Sequence, residues 1–225
     1  MTPMSLGRSM FLSKSACRLQ TIASLGLLLA FMLVSVPVIL SQPVRYAYLQ
    51  MIDRQIAKVA PPQFVFAGDS LTAHGNWGWM LARNPFAVAN LAEPGASISE
   101  VALQVARARA YHGKFLLVMA GANDIHQPLE QIVCDFESLL GKVSEGQRLI
   151  VTLIPYTSFR EDAGNITAAN VEIKRLSEQK GADIIDINSL LSTNGILHRE
   201  LTTDGVHFNQ KAYQIWSSEI FKHIE

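Results

Sequence analysis

From residue 64 onward the chain alternates between short runs that are apolar at almost every position and longer stretches in which apolar residues recur every three or four. The short runs are Phe64–Ala67, Ala87–Leu91, Phe115–Ala120, Leu149–Ile154 and Asp183–Ile187. Unbroken apolar character over such a length fits strands covered on both faces. Helical periodicity marks Trp77–Arg83, Ile98–His112, Leu129–Val143, Ala168–Lys180 and Asn209–His223. Strand then helix, repeated five times, predicts a parallel, doubly wound α/β sandwich of three layers. Right-handed crossovers bring the C-terminal ends of all the strands to one edge, and ligands of such sheets bind there.

Upstream the pattern changes. Thr21–Leu40 carries no charge and is long enough to cross a hydrocarbon core as a helix. It follows a segment with Arg8, Lys14 and Arg18 and no acid. The run exceeds the apolar region of a cleaved signal peptide, and no small-x-small cleavage site follows it. Residues 21–41 are therefore predicted to be an uncleaved transmembrane signal anchor. Residues 1–20 then stay in the cytoplasm, and the rest lies on the periplasmic or extracellular side. Secretion after cleavage is the competing reading. Tyr48, Met51, Ile52, Ile56 and Val59 share one helical face, so 42–62 reads as a membrane-proximal helix closed by Pro61-Pro62. The globular domain is then 63–225.

Composition narrows the function classes. Of 225 residues 49% are hydrophobic, enough for a substantial core. The 19 basic and 19 acidic side chains cancel, and no basic stripe with interleaved aromatics appears, so a nucleic-acid partner is not expected. Cys17 and Cys134 are too few for a disulfide framework or a Cys-rich zinc site, and the predicted membrane separates them. Cys134 falls in a helical pattern and reads as a small core residue.

The polar clusters fall where a binding edge is expected. Gly68-Asp69-Ser70 follows the first strand, Glu93-Pro94-Gly95 the second and Gly121-Ala122-Asn123-Asp124 the third, while Asp204-Gly205-Val206-His207 precedes the last helix. Each alone reads as a turn or a helix cap. Together they contain the parts of a serine mechanism. A serine hydroxyl needs a base, and an imidazole is the side chain suited to that role near neutral pH. Asp204, three residues before His207, can reach the ring nitrogen turned away from the serine. The backbone N–H groups of Ser70 and Gly95 and the Asn123 side-chain amide can serve a developing oxyanion. Asp69 and Asp124 read as carboxylates that hydrogen-bond loop backbone rather than react.

In this order the motifs Gly68-Asp69-Ser70-Leu71, Gly95, Gly121-x-Asn123-Asp124 and Asp204-x-x-His207 resemble those of the SGNH (GDSL-type) hydrolases. The likeness runs from about Phe64 to Phe221 and includes His207-Phe208-Asn209 with Tyr213 and Trp216. It implies a flavodoxin-like five-stranded parallel sheet between helices, and a serine esterase or lipase mechanism without metal or other cofactor. By position Ser70 would be the nucleophile, His207 the base and Asp204 its orienting acid. Ser70, Gly95 and Asn123 would form the oxyanion hole.

The substrate is less legible. His74 and Trp77, just after the nucleophile, stand where they could line a pocket, and an indole can pack an acyl chain or stack on a sugar. Trp77 and Trp79 could equally anchor a helix in the core. Short loops and no evident lid point to a shallow site for short acyl groups. The expected substrate is a small acyl ester of a lipid or a sugar. A second reading is an O-acyltransferase acting on a cell-surface glycan. A third, a non-catalytic binding module, has no use for the aligned Ser70, His207 and Asp204. Nothing in the sequence fixes the oligomeric state.

Overall fold

A computed structural model of the chain describes residues 61–82 and 87–224, together with Gln55. The predicted anchor, 21–41, and nearly all of the membrane-proximal helix lie outside the described residues. Among the described residues no helix is long and apolar enough to cross a membrane.

Five parallel strands make the sheet: β1 (Phe64–Gly68), β2 (Val88–Asn90), β3 (Phe115–Met119), β4 (Arg148–Thr152) and β5 (Asp183–Ile185), in spatial order β2-β1-β3-β4-β5. Each lies within a residue or two of its predicted run; the central strands β1, β3 and β4 are buried on both faces and have no polar face to blur the pattern, while the edge strands β2 and β5 are partly exposed. Alternate side chains point to opposite faces. Val65, Ala67, Leu116, Val118, Leu149 and Val151 meet helices α2 (Ile98–Ala108), α3 (Leu129–Leu140) and α4 (Ala163–Gln179). Phe64, Phe66, Phe115, Leu117, Met119 and Ile150 meet the long C-terminal helix α6 (Gln210–Ile224) and the short helices α1 (Ser70–Ala73) and α5 (Asn188–Leu191).

The strand order positions the site. The chain runs from β1 outward to β2, then crosses back over β1 to β3. The connections after β1 and β3 therefore leave on opposite faces and open a crevice at their C-terminal ends. Gly68–Ser70 and Gly121–Asp124 are the two loops that flank it.

Three expectations need correction, and one element was not foreseen. The helix expected at Trp77–Arg83 is a single π-helical turn, Gly78–Ala82, and the first helix after β1 begins at Ser70. Helix α4 starts at Ala163, five residues before the expected Ala168, because Ile166 is already on the buried face with Ala169 and Ile173. Cys134 is exposed; the buried face of α3 carries Ile132, Phe136, Leu139 and Leu140, and position 134 points between its turns to solvent. A hairpin of β6 (Ser192–Thr193) and β7 (Ile196–Leu197) was not expected, although Asn194-Gly195 between them supplies the two positive φ angles that a tight hairpin turn requires.

Candidate active site

The nucleophile candidate sits where a buried strand turns sharply into a helix. A Cβ on Gly68 would run into Thr72 Oγ1 and lie 2.7 Å from the Met119 carbonyl, so only glycine lets the chain turn here. Gly68 N–H donates to the buried Gln104 Oε1 at 2.7 Å. Asp69 caps α1, its Oδ1 accepting the Leu71 N–H at 3.0 Å. Ser70 is the first residue of α1, so its N–H has no acceptor within the helix. Asp69 is 1% exposed, and its Oδ2 has no hydrogen-bond partner among the described residues. Burial pushes its carboxyl up to about 7, against the opposing effect of the Leu71 N–H bond.

The loops after β2 and β3 are tied together by consecutive residues. Asn123 Nδ2 donates to the Ala96 carbonyl at 2.9 Å, and Asp124 Oδ2 accepts the Ile98 N–H at 3.0 Å. Ser97 and Glu100 complete a capping box on the same helix end. The loop carrying Gly95, at φ 78°, is thus held from two sides. The Asn123 amide carries two hydrogens, and Ala96 accepts from one, so the other remains for a ligand. Burial also raises the Asp124 carboxyl, with the Ile98 N–H opposing it.

His207 reaches the serine from the far end of the chain. Ser70 Oγ lies 3.0 Å from His207 Nε2, and His207 Nδ1 lies 2.7 Å from Asp204 Oδ2. The loop that brings it there is short and internally bonded. Asp204 Oδ1 accepts the N–H groups of Val206 at 2.9 Å and of His207 at 2.8 Å. Gly205, at φ 97°, donates to Thr202 Oγ1, and that hydroxyl donates to the His207 carbonyl. The His207 ring bond, then the two backbone N–H groups, hold the Asp204 carboxyl well below the usual carboxylate range. An ionised carboxylate only accepts, so Nδ1 carries the ring proton and the Nε2 lone pair faces Ser70. A base oriented by an acid beside a hydroxyl is the arrangement that activates a serine toward an acyl carbon.

Behind the site an aromatic cluster ties α1 to α6. Tyr213 O–H donates to the Leu71 carbonyl at 2.7 Å, and burial lifts its phenol well above the ordinary value. Trp77 is 1% exposed, stacks on Phe66 at 4.6 Å, meets Trp216 edge-on at 4.8 Å and donates to the Thr72 carbonyl. Trp77 is thus a core residue and does not line a pocket; its partners on β1 and α6 leave it no open face. His74 is exposed, with its ring 5.6 Å from that of His207.

Beside Asn123 and Val206 a cavity of about 360 Å³ is walled by Leu71, Ile125, Tyr156 and Phe159. Sequence reasoning missed this wall. Its signal was Pro155-Tyr156, three residues beyond the end of β4 and on the same edge as the other loops. Gln104 was also missed; an amide in an otherwise amphipathic helix gives no hint that it holds a backbone group on β1.

Comparison with known proteins places these features in a family. Residues 66–215 match the model of the GDSL-like lipase/acylhydrolase family. An N-acylneuraminate cytidylyltransferase of Streptococcus agalactiae serotype V is 34% identical over 107 residues, which is 45% of this chain and 26% of that protein. The match thus spans about a quarter of the length of that curated relative. Among solved structures, a GDSL-like lipase from Bacteroides thetaiotaomicron superposes with a TM-score of 0.65 at 16% identity, over 80% of this chain and 98% of that one. An acetyl xylan esterase from Geobacillus stearothermophilus gives 0.60 at 15% identity, over 73% and 95%. A carbohydrate acetylesterase from Sinorhizobium meliloti gives 0.58 at 16% identity, over 72% and 98%. At these identities the structural likenesses speak for the fold, and the family match adds the motif-bearing loops, so this chain belongs to the GDSL-like lipase/acylhydrolase family.

Proposed function

We propose that the protein hydrolyses short acyl esters, above all acetyl esters, carried on sugars. The observation that carries this reading is the chain of contacts from Ser70 Oγ to His207 Nε2 at 3.0 Å and from His207 Nδ1 to Asp204 Oδ2 at 2.7 Å, made by residues 137 positions apart. Ser70 Oγ attacks the ester carbon while His207 Nε2 takes its proton. The carbonyl oxygen becomes an oxyanion served by the N–H groups of Ser70 and Gly95 and by Asn123 Nδ2. Collapse of the intermediate expels the sugar oxygen, which leaves as the alcohol with the proton from His207. Water, deprotonated by the same imidazole, then releases the acid and restores the serine.

The substrate class is read from the cavity and from the named relatives. The cavity beside Asn123 is about 360 Å³, near the lower end of the roughly 300–1,000 Å³ range of ligand pockets, which suits a short acyl group. Two structural neighbours are named for acetyl esters of carbohydrates, and the S. agalactiae relative is named for an acylated sugar acid. The uncharged stretch 21–41 is proposed to anchor the enzyme with the site on the outer side of the membrane. Fractionation and protease accessibility of intact cells would test that.

The test of function is hydrolysis of p-nitrophenyl acetate, butyrate and octanoate and of acetylated oligosaccharides, with Ser70→Ala beside the parent. The expected result is a preference for acetate, insensitivity to chelators and loss of turnover in the variant. Turnover that survives in Ser70→Ala removes the serine mechanism. Acyl groups recovered on an acceptor sugar rather than in solution make the enzyme a transferase.

A further inference from the structure

We propose that a groove beside the site, walled by Phe159, binds the sugar chain that carries the ester, with one sugar ring stacked on the Phe159 face. This deepens the reading above and rests on it.

Phe159 is 44% exposed, uncommon for a phenylalanine, and it borders two spaces at once. One is the cavity beside Asn123. The other is a groove of about 840 Å³ that runs along Asp204 and Gly205 to the β6–β7 hairpin. The ring is not a loose surface residue. Its backbone N–H donates to Thr157 Oγ1 at 3.1 Å, and that hydroxyl donates to the buried Asp162 Oδ2 at 2.7 Å. The preceding Ser158 donates its N–H to the Gly205 carbonyl at 2.7 Å. A Cβ on Gly205 would come within 3.1 Å of the Phe159 ring, so the aromatic packs directly on the loop that carries Asp204 and His207. An aromatic ring on a hydrogen-bonded backbone, packed on Gly205 and 44% exposed, offers a stacking surface.

The groove walls select the ligand. Thr193, His198, Arg199, Glu200 and Thr203 present hydroxyls and charges of both signs beside the apolar Ile196, Leu197 and Phe159. Such a mixed wall can hydrogen-bond the hydroxyls of a sugar and pack against its apolar ring face, whereas a polyanion would need a basic lining. His198 Nε2 lies 2.8 Å from Thr193 Oγ1 across the hairpin, which stiffens that wall. The cavity beside Asn123 is placed for the acyl group, and the larger groove is left for the alcohol part of the ester. Its volume exceeds the need of a single small alcohol and lies within the range of sites for drug-sized ligands.

The test compares three substrates in four proteins: p-nitrophenyl acetate, an acetylated xylose and an acetylated xylohexaose, with the parent, Phe159→Ala, Phe159→Tyr and Ser70→Ala. The parent is expected to favour the hexaose ester over the monosaccharide ester in kcat/KM. Phe159→Ala is expected to lower the ratio of kcat/KM on the hexaose ester to that on p-nitrophenyl acetate by about tenfold, mainly through KM. Phe159→Tyr, which keeps the ring, is expected to restore it. Equal losses on both substrates in Phe159→Ala, or no hexaose preference in the parent, overturn the groove and leave the serine mechanism standing. Hydrolysis that persists in Ser70→Ala overturns the serine mechanism instead.

Discussion

Asp69 and Asp204 are the same side chain in opposite circumstances. Asp69 is 1% exposed, accepts one backbone N–H and has an oxygen without a partner among the described residues; burial pushes it up to about 7. The Asp204 side chain is 53% exposed, bonds two backbone N–H groups and an imidazole, and is held well below the usual carboxylate range. The two halves of the site differ in the same way. Ser70 is placed by packing: a glycine that no side chain can replace, a buried cap, and a helix pinned by Trp77 and Tyr213. His207 is placed by hydrogen bonds within an exposed loop. A rigid position can be reached by excluding water or by satisfying every polar group in its presence, and this site uses one route on each side.

Substitutions separate the two halves. Ser70→Ala removes the proposed nucleophile and is expected to lower kcat by roughly 10⁶-fold with the fold unchanged. Asp204→Asn leaves the exposed loop folded but loses the fixed tautomer; kcat is expected to fall by about 10⁴-fold. A variant with near-normal kcat would mean that the hydrogen-bonded half does not orient the base. Asn123→Ala removes one proposed oxyanion donor and one tie to Ala96, with an expected loss of about 10² to 10³-fold in kcat. On the packed half, Tyr213→Phe deletes the bond to the Leu71 carbonyl and should lower folding stability by about 1 kcal/mol, read from chemical denaturation.

The last expected effect is a difference in pH dependence. Asp69 has a raised folded-state pKa. In strong acid it is protonated in both folded and unfolded chains and costs nothing. As the pH rises from the ordinary carboxyl range to about 7, only the unfolded chain ionises, so its contribution to stability falls across that window and levels off above it. Asp204 acts in the opposite sense: its contribution is present above the ordinary carboxyl range and is lost as the pH falls through and below it. Asp69→Asn keeps an acceptor for Leu71 and cannot ionise. The parent is therefore expected to lose stability relative to Asp69→Asn between about pH 4 and 7 in denaturation midpoints. Parallel curves would place a charged carboxylate in the core.

What could be read from the sequence follows the same division. The central strands were legible because burial on both faces leaves an unbroken apolar signature, and the edge at which loops gather follows from the parallel order of the sheet. The positions of Ser70, Gly95, Asn123 and His207 could be placed on that edge. What depended on side-chain direction could not. Trp77 follows the nucleophile and reads as pocket or core with equal ease; only the ring of Phe66 beneath it decides. Gln104 is one polar residue in a helix until its contact with Gly68 is seen. Phe159 lies in a loop without periodicity, and its role comes from Gly205, 46 positions further along the chain.

The central claim is that the hydroxyl of Ser70 is the group made nucleophilic by His207. A fluorophosphonate probe tests it directly, with intact-mass and peptide mass spectrometry alongside residual esterase activity. The account predicts one adduct per chain, on Ser70, formed in step with the loss of activity and slowed severely in His207→Ala. Full activity in stoichiometrically labelled protein, or a label on another side chain that accompanies inactivation, would contradict it.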